Sequence, residues 1–380
     1  MILSALAPMK AAACSGAVIS GKAAQDGRPI LWKNRDTDHR YNKVVFVAEK
    51  PYSYLGVVND DDPSGRRAWS GLNTEGFAVM NTVAYNLPSA KGEEYKDLEG
   101  GIMADALRTC RTVSDFEDYL KKNIGPALGS QADFGVIDAH GGASLFEVHN
   151  SSFTRFDAEA EAGKYLLITN FSRSGEKDKG KGYVRFSRLR ELFTGVKSGK
   201  YSVAMVLERF ARDLVNPMLA PAAVPGRGPS YIHAAHTIDR ATTASAIVVR
   251  GVKEGESSRN SMMWFMPGEP ACSVAVPLWP DSGEVPFEVG GGTRTQLNRE
   301  TMRLKSLLRP FADDERAEYL DLARLVNKSG TGWLGILTGK EKEMLAETEG
   351  FISTDPSPAR KAAFQRAMAA KALEQIGRIH

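Results

Sequence analysis

Cys14 is the residue whose setting could do chemistry. It follows the stretch MILSALAPMKAAA, which is apolar apart from Lys10 and ends in three alanines. Small residues of this kind are what a signal peptidase needs before its cut. Removal of residues 1–13, as a signal or a pro-segment, would leave Cys14 with a free α-amine. Such a residue carries both parts of a nucleophile. The thiolate attacks, and the α-amine, with an unperturbed pKa of about 7.7–8.0, takes the thiol proton directly or through a water. While Ala13 remains attached the nitrogen is an amide and the base is missing. Two other readings stand beside this one. A lipoprotein signal would place a lipid on the Cys14 sulfur of a non-catalytic envelope or binding protein, although Ala11 stands where such signals usually carry Leu. The plainest reading is a short apolar tail before an ordinary buried cysteine. Lipidation would abolish the thiol nucleophile, so these readings exclude one another.

A second group with chemical potential is Lys33-Asn34-Arg35-Asp36. It falls on the strand expected to pair with the Cys14 strand, which brings cations and carboxylates close to the thiol. Asp36 could hold a charged α-amine. Lys33 or Arg35 could favour the thiolate or bind an anionic substrate group. A surface charge cluster at a strand end is the alternative. The other two cysteines read as small buried hydrophobes, Cys110 on a helical pattern and Cys272 in an apolar run at 271–277. No C-x-x-C pair or zinc spacing is present. His233 and His236 could share a helix face but lack a third ligand. Residues 59–62, Asn-Asp-Asp-Asp, lack the spacing of a calcium loop and read as a solvated acidic turn. The sequence has no phosphate-binding loop or dinucleotide fingerprint. No metal and no cofactor is expected.

These residues need a frame. Residues 17–19 and 29–32 are apolar runs around the turn signal Gln25-Asp26-Gly27-Arg28, which reads as a hairpin. Strand patterns follow at 43–48, 54–58, 67–72 and 77–83. Helical spacing covers 101–111, and Ser114 with Glu117 reads as a capping box for a helix ending near Asn123. Strands are expected again at 134–138, 144–149 and 165–169, then helices at 184–193 and 202–215. The Pro-, Ala- and Gly-rich segment 216–229 reads as a loop, followed by strands at 244–249, 262–266 and 273–278. From Thr295 the composition turns to Leu, Ala, Glu, Lys and Arg with helical spacing. Three helices are expected there, with breaks near 330–332 and 354–358. The order of strands, helix pair, strands, helix pair and strands predicts an α+β fold: a four-layer αββα sandwich of two stacked, mainly antiparallel sheets. The αββα domain would span 14–290, with a C-terminal helical extension over 291–380 packed on it.

The Cys14 hairpin and the Lys33-Asn34-Arg35-Asp36 group resemble the cysteine N-terminal-nucleophile (Ntn) hydrolases of the choloylglycine hydrolase and acyl-CoA:6-aminopenicillanate acyltransferase type. These begin with Cys, then a hairpin, then Arg-Asn-X-Asp. The resemblance runs from Cys14 to about Leu278. Lys33 stands where the family usually has Arg and lacks the planar fork; either Lys33 fills that role or Arg35 has taken it over. The resemblance implies further site residues. Gly71-Leu72-Asn73-Thr74-Glu75-Gly76 matches the family's G-x-N-x-x-G turn, whose following strand ends in an asparagine near the nucleophile. Asn81 fits that position best, with Asn86 as the fallback, and its amide would donate to the oxyanion. Thr169-Asn170 matches a Thr-Asn pair whose Asn lies near the cysteine, which implies that Asn170 clamps the amine or the intermediate. Arg240, in the segment 239–245 that resembles the family's closing strands, is a candidate for substrate binding and equally for a structural role.

The implied activity is hydrolysis of a linear amide bond through a thioester on Cys14. An acyltransferase using the same acyl-enzyme is the close alternative. Small acylated amines or amino acids are the implied partners. The chain has 380 residues and a net charge of +3 with both signs interspersed, and no Lys/Arg block suggests a nucleic-acid groove. It contains no apolar run long enough to span a membrane. Homo-oligomerisation is compatible with all of this. Removal of residues 1–13 as a signal would imply export to a periplasm or cell exterior, whereas a mere propeptide would leave the protein in the cytoplasm.

Overall fold

The computed structural model describes residues 13–62, 64–88, 96–226, 228–311 and 318–380. Apart from Ala13, the expected leader lies outside the described residues. Strands β1 (Ala13–Ile19) and β2 (Ile30–Asp36) form the expected hairpin, antiparallel from Ala13↔Asp36 to Ile19↔Ile30. The chain then leaves for a second sheet, laid down as a meander in sequence order. Its strands are β3 (Asn42–Val47), β4 (Tyr54–Asn59), β5 (Ser70–Asn73), β6 (Ala78–Val83), β7 (Gln131–Ile137), β8 (Ala143–His149) and β9 (Ser152–Asp157). Helices α1 (Glu99–Thr109) and α2 (Val113–Asn123) interrupt the meander between β6 and β7.

β10 (Tyr165–Ile168) returns to the first sheet beside β1. α3 (Tyr183–Thr194) follows, then a short α4 (Val203–Met205) that runs into a π-helical turn at Val206–Phe210. After β11 (Tyr231–His233) come β12 (Thr243–Arg250), β13 (Met262–Pro267) and β14 (Val276–Leu278), which complete the first sheet in the order β10-β1-β2-β12-β13-β14. The C-terminal part holds α5 (Phe287–Gly290), α6 (Gln296–Leu308), β15 (Tyr319–Asp321, paired with β11), α7 (Leu322–Leu325), α8 (Trp333–Ile352) and α9 (Pro358–Gly377).

Strand alternation sorts the side chains into layers. Val18, Leu31, Ile168 and Ile247 of the first sheet meet Leu55, Met80 and Ile137 of the second in one core. Their sequence neighbours Ala17, Trp32 and Val248 turn the other way, onto Leu189, Phe193 and Phe210 of the α3 region. On the outer face of the second sheet, Val79, Phe134 and Phe146 pack against Leu107 and Phe116 of α1 and α2. The result is helices, sheet, sheet, helices, an αββα sandwich with antiparallel strands in both sheets. The apolar faces of α6, α8 and α9, with Leu304, Leu308, Trp333, Leu337, Met368 and Ala372, run into the core between the sheets.

Several local expectations shift. The capping box at α2 is Thr112 with Asp115, not Ser114 with Glu117: the Thr112 hydroxyl accepts from the Asp115 amide, and the Asp115 carboxylate accepts from the Thr112 amide. Segment 202–215 yields only α4 and the π turn before Asn216. Cys272 ends a single 3₁₀ turn at Pro270–Cys272 rather than lying in a strand. His233 ends β11, so it does not share a helix face with His236. β9, β11 and β15 lie in stretches without the alternation that marks a half-buried strand.

One buried ion pair ties the C-terminal helices to the sandwich. Arg212 donates to both carboxylate oxygens of Glu341 on α8, at 2.7 and 2.9 Å, and Glu341 also accepts from the Ala275 amide. Both side chains are buried. Glu341→Gln leaves the Arg212 guanidinium buried without its countercharge, and is expected to cost about 3–5 kcal/mol. A lowered urea midpoint with an unchanged slope is the expected reading.

Candidate active site

Cys14 and Arg35 face each other directly across β1 and β2, as do Gly16 and Lys33. Directly paired residues share a face, so Cys14, Lys33 and Arg35 all belong to the face turned toward the second sheet. Asn34 and Asp36 belong to the opposite face. Period two therefore splits the four-residue charge group between two environments. Gly16 is where the sheets come close: a Cβ there would lie 2.3 Å from the Trp32 carbonyl oxygen and 3.1 Å from the Met80 terminal methyl.

Lys33 is buried, and its ammonium donates to the Trp69 carbonyl at 2.7 Å and to Asn81 Oδ1 at 2.8 Å. Burial pulls it down to about 8, while the negative charge of Cys14 and, further off, Asp36 acts the other way. With its oxygen held by Lys33, Asn81 can present only its amide N–H groups. Arg35 stacks over the Trp69 ring, 4.8 Å from the centroid, and donates to Asn42 Oδ1 at 2.9 Å. Burial lowers Arg35 to about 10. The two cations thus divide the work: Lys33 reaches the asparagine, and Arg35 stands opposite the cysteine.

Asn170 follows β10, and its side chain is buried and hydrogen-bonded at both ends. Its Oδ1 accepts from the Cys14 backbone nitrogen at 3.1 Å and from Arg185 Nη2 at 2.6 Å, while its Nδ2 donates to the Val83 carbonyl at 2.9 Å. Asp36 pairs in register with Ala13 and Thr243. One carboxylate oxygen accepts from the Thr243 hydroxyl at 2.7 Å; the other is buried, has no hydrogen-bond partner among the described residues and lies 3.9 Å from Arg240 Nε. Burial pushes this carboxyl up, against the pull of Arg240 and Arg185. Asn86 lies apart from this group. Its amide donates to the Ser172 and Glu176 carbonyls and accepts from the Ser172 amide, so it secures the loop after Asn170.

Arg185 belongs to the site and was missed in the sequence. It lies in the first turn of α3, and its Nη1 donates to the Cys14 carbonyl and, at 2.7 Å, to the Ser15 hydroxyl. Burial lowers it to about 10. Its signal was an arginine at the i, i+4, i+7 spacing of Arg185, Leu189 and Leu192, all three buried: a cation on the apolar stripe of a helix needs a reason. Gly182 starts this helix at φ +82°, and a Cβ there would meet Arg185 Nη2 at 2.7 Å. Trp69, Asn42 and Thr243 are the other partners that sequence reasoning did not name.

A cavity of about 730 Å³ opens beside Ala13. Its wall includes Tyr85, Arg185, His236, Arg240 and, from α6, Met302 and Lys305. Burial raises the Tyr85 hydroxyl to about 12. Among the described residues no group of three or more His, Cys, Asp or Glu side chains could hold a metal ion, and no helix is long and apolar enough to cross a membrane.

No family model and no curated protein matches this chain. Solved structures do. A mutant of conjugated bile acid hydrolase from Clostridium perfringens is 11% identical, with a TM-score of 0.38 over 67% of this chain and 89% of that one. An N-acylethanolamine-hydrolyzing acid amidase ortholog from Caenorhabditis elegans is 15% identical, with a TM-score of 0.41 over 67% of this chain and 100% of that one. Penicillin V acylase from Agrobacterium tumefaciens is 12% identical, with a TM-score of 0.38 over 70% and 85%. A likeness at these scores carries no information on activity.

Proposed function

We propose that this protein, once residues 1–13 are removed and the chain exported, hydrolyses a linear amide bond, non-peptide or acyl-amino-acid, through a thioester on Cys14. The observation that carries this reading is the setting of the Cys14 nitrogen. It donates to the Asn170 oxygen at 3.1 Å, and the residue before it lines the cavity. Loss of Ala13 would turn that amide into an amine at the cavity wall, next to its own thiol.

In the first half of the reaction the amine takes the thiol proton, the thiolate adds to the substrate carbonyl, and the amine returns the proton to the leaving nitrogen. Asn81, held through its oxygen by Lys33, offers amide N–H groups to the oxyanion. Lys33 and Arg35 supply positive charge on the thiol's face of the sheet, and Asn170 holds the amine. Asp36, whose second oxygen has no partner among the described residues, is the nearest carboxylate in register to balance a charged amine. Water cleaves the thioester in the second half. The partners are small acylated amines or amino acids.

The test is intact mass spectrometry of the chain expressed from Met1, before and after brief incubation at neutral pH with a panel of N-acyl amines, quenched in acid. A chain that begins at Cys14 and gains the mass of the acyl group, labile to hydroxylamine, is the expected result. A chain that keeps Ala13, or carries lipid on Cys14, rules the mechanism out.

A further inference from the structure

Arg35, opposite Cys14, is aimed by Asn42. Among the described residues its guanidinium has one hydrogen-bond acceptor, Asn42 Oδ1 at 2.9 Å. That oxygen also accepts from the Ser245 hydroxyl at 2.8 Å, and the Asn42 amide donates to the His39 carbonyl at 3.0 Å. Asn42 opens β3, the edge strand of the second sheet. The Tyr41 carbonyl accepts from the Asp60 amide of the neighbouring segment, so the next carbonyl, that of Asn42, points off the edge. There it accepts from the side-chain amide of Asn298 on α6, 256 positions along the chain.

The same helix reaches Asn42 by a second route. Lys305 lies on the same face of α6 as Asn298, about two turns further along. Its ammonium donates to the Ala241 carbonyl at 2.6 Å and the Thr243 carbonyl at 3.2 Å, and lies 3.2 Å from Glu269. These carbonyls lead into the irregularity where β12 shifts register against β2 between Thr243 and Ser245. Such an irregularity re-aims the side chains beside it. Here it leaves Ser245 opposite Arg35, with its hydroxyl on Asn42 Oδ1. Asn42 is thus fixed by Asn298 through its backbone, and by the segment that Lys305 pins through its side chain. Asn298 is a costly residue for filling space alone. It is fully buried, and its Oδ1 has no hydrogen-bond partner among the described residues. What it supplies is the N–H on the Asn42 carbonyl.

We propose that Asn298 is a positioning residue for Arg35, acting through Asn42 to hold the guanidinium opposite the Cys14 thiol. Its use in catalysis rests on the hydrolase reading above. A cation held beside a thiol favours the thiolate, and a cation free to swing away favours it less. The C-terminal extension, outside the four layers, thereby sets the reactivity of the nucleophile.

Cys14 itself is the readout. The full chain is alkylated with iodoacetamide at neutral pH, and the rate at Cys14 is followed by mass spectrometry of its peptide. Thermal unfolding and the kcat and KM of amide hydrolysis are measured alongside. Arg35→Met is expected to slow alkylation by about 10-fold, the size of the cation's effect on the thiolate fraction. Asn298→Leu, and Asn298→Ala, which cannot clash, are expected to slow it by up to about the same factor. They are expected to lower kcat rather than raise KM. The unfolding midpoint is expected to shift little, because loss of the bond and loss of the orphan oxygen offset one another. In the Arg35→Met background both changes are expected to slow alkylation no further; this comparison decides even if a variant is less stable. An unchanged rate in both Asn298 variants, or in Arg35→Met, overturns the proposal. So does an equal loss with and without Arg35, which makes Asn298 a packing residue. Slowing through Arg35 in a chain that hydrolyses no amide keeps the role of Asn298 and sinks the hydrolase. Amide hydrolysis with alkylation unmoved does the reverse.

Discussion

Cys14→Ala is expected to lower kcat/KM for amide hydrolysis by on the order of 10⁵-fold, the scale on which removal of a catalytic nucleophile falls. The argument is stoichiometric as well as geometric: without sulfur no thioester forms and no acyl group can be retained. Cys110 and Cys272 cannot substitute. Both are buried, and burial pushes each thiol up, Cys110 to about 12, which removes the thiolate that attack requires. The variant keeps the fold, because the Cys14 contacts to Asn170 and Arg185 run through its backbone. Residual activity within 10-fold of wild type, with unchanged thermal unfolding, would remove Cys14 from the mechanism.

Lys33→Met is expected to lower kcat by on the order of 10³-fold with little change in KM. The substitution releases the oxygen of Asn81, and loss of one aligned oxyanion donor costs roughly 10²–10³. It also removes a cation from the thiol's face of the sheet. Lys33→Arg separates these effects through pH. Lys33 titrates at about 8 rather than its ordinary 10.5 because it is buried, so its positive charge is present below pH 8 and lost above it. Wild-type kcat/KM is therefore expected to fall as pH rises through about 8, and the Lys33→Arg limb to move upward, since a guanidinium holds its charge.

The linkage has the opposite slope for stability. The folded pKa lies below the unfolded one, so the folded chain binds fewer protons between about 8 and 10.5, and Lys33 makes unfolding harder as pH rises through that window. Falling activity alongside a rising contribution to stability would mark Lys33. An alkaline limb unmoved in Lys33→Arg would assign it to another group.

Much of the frame was legible locally. A strand writes its two faces into alternate residues, so Val18 and Leu31 against Ala17 and Trp32 already told which side chains part company. The hairpin brought Cys14 opposite Lys33-Asn34-Arg35-Asp36 across the connection 20–29 because a one-residue slip would turn the buried apolar side chains of both strands to the wrong face. Helix ends were harder. At α2 two adjacent Thr/Ser-x-x-acid patterns compete, and Thr112 wins because its Asp115 reaches back to its own amide. The 202–215 segment has helical spacing but breaks after a π turn. What ends it is long-range: Arg212 is turned into the wall formed by Pro270, Ser273 and Glu341.

The sequence by itself determined the nucleophile candidate, the charges placed across from it, and the layer order that follows from apolar periodicity and turn residues. Each of these depends on neighbours a few positions apart. Tertiary structure decided the rest. Arg185 meets the Cys14 carbonyl across 171 positions, and Lys33 meets Asn81 across 48. The cavity wall is completed by Lys305 and Arg309, from the far end of the chain. Such contacts come from how whole layers dock. The same local pattern is compatible with many dockings, and only the packed core selects the one in which these side chains converge.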